Sequence, residues 1–172
     1  MNRTRIAANG GTVSTSVLIY MALHDDMGFG KKRLDAIGDK AKEYSVYINH
    51  DAGRLNELRD HIGKYLDYQL QRDFIQTLVK GLKYSGHEER RGAEAGMEAT
   101  YSLVFLALHE LYGFGAQRLK RIQAHIKEYA WFIKDGTTHV LEYMKCLHCE
   151  AGQQYQALEG YEKEHGPVEI YG

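Results

Sequence analysis

The chain has 172 residues, a mass of 19.7 kDa and 44% apolar residues, enough for one compact domain or two small ones around a real core. Its 22 Lys and Arg against 23 Asp and Glu exclude both a basic tail-type nucleic-acid binder and an acidic disordered chain. Any binding surface must therefore come from local clustering. Two cysteines, Cys146 and Cys149, are too few and too close in sequence to staple a secreted fold, which points to a reducing compartment, the cytoplasm. The longest apolar run, Val17 to Leu23, falls short of the roughly 18 residues of a membrane span. No signal-type apolar segment follows the N-terminal Met-Asn-Arg-Thr-Arg, so neither membrane insertion nor ordinary secretion is expected.

A single proline, Pro167, leaves helices uninterrupted everywhere else, and the chain reads as all-α. Thr15 or Ser16 caps a first helix running through Val17, Leu18, Tyr20, Met21 and Leu23, which Gly28 and Gly30 end. The next shows Leu34, Ile37, Ala41, Tyr44 and Ile48 at spacings of three and four, one apolar stripe on one face. A third, from about Asp51 to Leu70, carries Leu55, Leu58, Ile62, Tyr65 and Leu66. Residues 84 to 96, with Gly86, Gly92 and Gly96 among charges, read as a connector or as the start of the following helix. Leu103, Phe105, Leu106 and Leu108 then mark a helix, Leu119, Ile122, Ile126, Tyr129 and Ile133 the next, and Val140, Leu141, Met144 and Leu147 the last. The tail after Gly160 reads as loosely ordered.

These elements repeat. The segment from Leu23 to Leu34 recurs from Leu108 to Leu119, an offset of 85 residues, and 11 of the 22 positions from 23 to 44 are identical to their counterparts. The expectation is two homologous helical units of about three helices each, residues 1–85 and 86–172 with the C-terminal tail. Three helices bury too little to be secure alone, so the units should pack on each other pseudo-symmetrically.

The sharpest shared feature is Gly-Phe-Gly: Gly28 and Gly30 around Phe29, Gly113 and Gly115 around Phe114. Glycines permit a tight reversal with positive φ, the phenylalanine can plug the core, and the first amides of the following helix are free to meet an anion. Lys31, Lys32 and Arg33 follow the first copy; in the second, Ala116 and Gln117 replace the lysines and Arg118 remains. These glycines and cations are the candidate phosphate or partner contacts, with the first copy dominant. Asp35, Asp39 and Glu43 interleave with the basic residues, so affinity for bare DNA should be modest and salt dependent.

Over about 20 residues per copy the pattern resembles the helix-hairpin-helix motif of sequence-independent DNA-binding proteins, in which a Gly-apolar-Gly hairpin donates backbone hydrogen bonds to a phosphate. It departs at Leu34 and Leu119, where that motif usually has alanine, and in the long separation of the copies. The wider pattern, Ala-Leu-His-x3-Gly-Phe-Gly-x2-Arg-Leu over 22–34 and 107–119, also resembles small proteins of phages and prophages of Gram-positive bacteria. That resemblance implies a mobile-element origin and action inside a host cell. It raises the reading of an inhibitor of host machinery, a CRISPR-Cas or other defence complex above all.

Other constellations weigh less. His24 with Asp25, and His109 with Glu110, offer halves of an acid-base or metal site, but a histidine at a helix end serves the terminal carbonyls equally well. Cys146, His148 and Cys149, with His139 upstream, have zinc-type donors but lie within one helix rather than on two knuckles, so no metal is expected. Thirteen tyrosines suit either interfaces or core borders. No nucleophile elbow, phosphate-binding Gly-Lys-Ser/Thr loop or His-Glu-x-x-His is present, so no catalysis and no cofactor are expected. The reading is a non-catalytic protein that binds and blocks a host protein or nucleoprotein complex. The alternatives are a non-sequence-specific DNA-binding accessory protein and a sequestering protein for a small phosphorylated signal.

Overall fold

A computed structural model describes residues 2–49 and 51–170. Among them the chain forms eight helices and no strand: α1 Arg3–Met27, α2 Lys31–Ile48, α3 Ala52–Gly63, α4 Tyr68–Leu82, α5 His87–Tyr112, α6 Ala116–Asp135, α7 Val140–Ala151 and α8 Gln156–His165. The all-α expectation holds, but three helices per half undercounts. Asp67 breaks the long helix expected from Asp51 to Leu70, because its carboxylate accepts the Leu70 amide at 2.9 Å and starts α4. The tail after Gly160, expected to be loose, continues α8 to His165. The first helix begins at Arg3 rather than at Thr15 or Ser16, with Asn2 as its cap, and Thr15 is fully buried inside it.

The two longest helices, α1 and α5, form the centre. Seven consecutive residues of α1, Val17 to Leu23, are buried, as are all those of α5 from Thr100 to Leu108, so both are enclosed on every side there. The helices run parallel: Gly92 lies against Thr4, Gly96 against Ala8 and Thr12, and at the far ends the Phe29 and Phe114 rings meet edge to face at 6.1 Å. Their N-terminal halves touch through glycine. A Cβ on Gly11 would sit 2.5 Å from the Ala93 carbonyl oxygen, and one on Gly96 would sit 2.3 Å from that of Ala8. Gly11, Gly92 and Gly96 are thus close-approach positions inside helices, and of the two readings of residues 84 to 96 the start of a helix is the one found from His87 onward.

The stretch of α1 also has an 18-residue window of mean hydropathy 1.3, long and apolar enough by length and composition to cross a membrane, and 56% of that window is buried inside this fold. Counting uninterrupted apolar residues passes over it, because glycine, serine and threonine interleave. The remaining helices cross between the halves of the chain. α2 and α3 pack on α5, while α6 and α7 pack on α1. α4 lies along α6, and α8 rests on α7.

Candidate functional site

Both Gly-Phe-Gly segments end at the same pole of the molecule. Each begins with a left-handed glycine that closes the preceding helix, Gly28 at φ 67° and Gly113 at φ 66°. The second glycines differ from expectation: Gly30 at φ −102° and Gly115 at φ −88° are in extended backbone open to any residue. A Cβ at either would meet nothing within 4 Å. Neither conformation nor packing demands glycine there. What the glycines do is leave α2 and α6 with no side-chain cap, and neither helix has an acidic residue in its first turn. Phe29 and Phe114 are buried, plugging the ends of the central pair as their positions in the sequence suggest.

The cations take several places. The Arg33 guanidinium lies 5.1 Å from the centre of the Phe29 ring and that of Arg118 4.7 Å from the Phe114 ring, so each sits on the aromatic plug of its own hairpin. The Tyr112 hydroxyl donates to the Arg33 carbonyl at 3.4 Å, tying the two hairpins together. Lys32 is exposed. Lys31 is committed: its ammonium is 2.6 Å from Asp35, its stem packs on Gly152, and it holds the Asp35 carboxyl below its ordinary range with help from Gln153. The structure thus brings Arg33, Arg118 and Lys32 to one pole beside two bare helix starts, and sets Lys31 against the α7–α8 joint.

The histidines support this pole. His109 bonds through Nδ1 to the Phe114 carbonyl at 2.7 Å, and His24 bonds through Nδ1 to that of Phe29 at 2.8 Å. Both therefore brace the turn that follows their helix. His24 has a second acceptor, Glu150 of α7, 2.8 Å from Nε2. The two bonds form together only on the doubly protonated ring. Its affinity for the proton is accordingly raised, first by the Phe29 carbonyl and then by Glu150. His109 faces Tyr65 instead, ring on ring at 4.2 Å.

The acidic neighbours in the motif point across the molecule. The Tyr44 hydroxyl of α2 donates to Glu110 of α5 at 2.6 Å, and the Tyr129 hydroxyl of α6 donates to Asp25 of α1. Burial, with the carboxylate second, raises both phenols above their ordinary value. His125 of α6 adds a contact to Asp26 at 2.9 Å. The pairings were not legible in the sequence, although Tyr44 and Tyr129, and the carboxylates Asp25 and Glu110, correspond at the 85-residue offset.

The zinc-type donors are separated and otherwise engaged. His139 caps α7 by accepting the Leu141 amide at 3.2 Å, and His148 bonds through Nδ1 to the Gln153 carbonyl at 2.9 Å. Cys146 is half-buried and Cys149 exposed, and burial pushes the Cys146 thiol up, away from the thiolate. Among the described residues no group of three or more His, Cys, Asp or Glu is placed to hold a metal. No family model, curated protein or solved structure matches the chain.

Proposed function

We propose that the chain is an internal duplication, two homologous helical units packed pseudo-symmetrically about the α1–α5 pair, and that it works by occupancy rather than by chemistry. Its working surface is the hairpin pole, and the target is the sugar–phosphate backbone of nucleic acid, free or within a host nucleoprotein complex. The observation that carries this reading is the bare start of α2 and α6, kept by glycines that the fold does not require, beside Arg33, Arg118 and Lys32. Unpaired amides, a favourable helix dipole and exposed cations suit phosphate groups, and two such starts suit two phosphates. Reciprocal bonds at matched positions, Tyr44 to Glu110 and Tyr129 to Asp25, support the duplication. The motif's resemblance to phage proteins supports a setting in which occupying a host nucleoprotein complex, such as a defence effector, is useful.

The test is fluorescence anisotropy with labelled duplex DNA over a salt series. The expected result is sequence-independent binding with log affinity falling linearly with log salt, and a slope reduced by about two in Arg33→Glu/Arg118→Glu. Gly30→Asp/Gly115→Asp places a carboxylate at each helix start and should abolish binding while leaving thermal stability unchanged or slightly raised. Absence of binding at low salt overturns phosphate contact. Retention of one nuclease-resistant host protein from lysate would then favour blocking of a protein target.

A further inference from the structure

Two grooves lie against helix pairs that the 85-residue offset relates, α3–α5 and α1–α7, and differ in chemistry. One, of about 290 Å³, lies between α3, α4 and α5 and is lined by Arg59, Arg72, Gln76, Glu94 and Glu98 among others. The other, of about 670 Å³, lies between α1, α7 and α8, with Val13, Leu141, Met144, Ala157 and Tyr161 in its wall. Across the offset Glu94, Glu98 and Arg59 correspond to Asn9, Val13 and Met144, whereas the remaining walls, α4 and α8, are placed differently. In the smaller groove Arg59 and Glu98 form an ion pair at 3.4 Å. In the larger one the same two positions are Met144 and Val13.

In the smaller groove the α3–α5 pair packs with an ion pair at these two positions, so a helix pair of this kind does not require the apolar Val13 and Met144. Val13 is 38% and Tyr161 43% exposed, and Ile6, two turns before Val13 on α1, is 51% exposed. No Asp, Glu, Lys or Arg lines this groove; its polar groups include the neutral side chains of Asn9, Ser14, Gln154 and Gln156. His139, also in the lining, accepts the Leu141 amide at Nδ1 as the cap of α7. A charged ligand would lose its water here without gaining a counter-charge. The volume falls in the range of small-molecule sites, roughly 300–1,000 Å³.

From this contrast we propose that the groove between α1, α7 and α8 is a binding site for an uncharged, largely apolar small molecule, with the neutral amides providing its few hydrogen bonds. The site lies apart from the hairpin pole and does not depend on nucleic-acid binding. It is tested on the full chain with the neutral fluorophore N-phenylnaphthylamine and its sulfonated analogue. The neutral probe should bind saturably at one site per chain, at least about tenfold more tightly than the sulfonate. Val13→Glu/Met144→Arg writes the ion pair of the other groove into this one and should weaken the neutral probe by about tenfold or more with helicity unchanged. Ala157→Arg, at an exposed position, should do the same should the double variant fail to fold. Absence of saturable binding, equal affinity for the sulfonate, or insensitivity to Ala157→Arg overturns the proposal. So does self-association in sedimentation that Ala157→Arg abolishes, since a second copy would then cover the groove.

Discussion

α4 and α8 follow matched helices at matched distances along the chain, yet α4 lies along α6 whereas α8 does not lie along α2 and rests on α7. The cause is in the side chains. α4 buries Phe74, Ile75, Leu78 and Val79, and the residues 85 positions on are Glu159, Gly160, Lys163 and Glu164. The seats differ as well. On α6 the fully buried Gln123 accepts the Asp67 amide at 3.0 Å and donates to the Asp67 carbonyl and the Tyr101 hydroxyl, fastening the start of α4. On α2 the matching residue is Gly38, which can fasten nothing. The hairpin motifs correspond across the 85-residue offset, but a fourth helix goes where its own apolar face and one buried amide take it. That divergence also leaves the groove beside α8 open.

The sharpest way to break this comparison is to remove the apolar face of α4. Phe74→Ala, at a fully buried ring packed on Tyr101, should cost about 3–5 kcal/mol in denaturant unfolding. Glu159→Ala, at the matched position of α8, should change stability by less than about 0.5 kcal/mol. Comparable losses at the two sites would show that α8 has a packed role that its exposed face does not indicate. Next in size is the contact that both halves share. Gly96→Ala and Gly11→Ala each drive a methyl into a backbone carbonyl and should each cost roughly 1–3 kcal/mol in thermal unfolding. Gly86→Ala, where a Cβ meets nothing within 4 Å, serves as the control.

These positions also show where sequence reading succeeds and fails. The hairpins were legible because their signals are local: a left-handed glycine, a plugging phenylalanine and an apolar stripe on the following helix. The start of α1 was not, and that of α5 stayed open between connector and helix, because glycine has two uses. Gly11 and Gly96 look like turn residues until a neighbouring helix is present to need the space. The break at Asp67 was hidden because Tyr65, Leu66 and Leu70 continue the apolar pattern across it, and the N-cap outweighs the stripe only in the folded chain. The candidate cations were legible as a cluster, but their division was not. Lys31 is diverted by Asp35 and Gly152, and Gly152 lies more than a hundred residues away in sequence.

Reciprocity across the centre is a finer test. Tyr44→Phe and Tyr129→Phe each remove one hydroxyl bonded to a carboxylate of the opposite half, and each should cost about 1 kcal/mol. Equal losses would sharpen the case for matched halves. A difference above about 1 kcal/mol would show that one bond is replaced by solvent and that the equivalence stops at the backbone.

The smallest effect separates the two hairpins by pH. His24 faces the Phe29 carbonyl, Asp25 on its own helix and Glu150 from α7, and these favour its charged ring; His109 has Tyr65 in place of the carboxylate of α7. Because the proton affinity of His24 is raised in the folded chain, its contribution is complete below the ordinary value of 6.5 and is lost as pH rises through the folded value. Stability should therefore fall slightly from mildly acidic to mildly alkaline pH, by under about 1 kcal/mol for an ion pair open to water on one side. Glu150→Gln should flatten that slope and lower the His24 midpoint in an NMR titration. It should not release the turn, since the Nδ1 proton that braces Phe29 is present in both charge states of the ring. Loss of the Phe29 amide's protection from hydrogen exchange in Glu150→Gln would show instead that α7 holds the first hairpin closed through the charge on His24, a control that the second hairpin, with Tyr65 on His109, does not have.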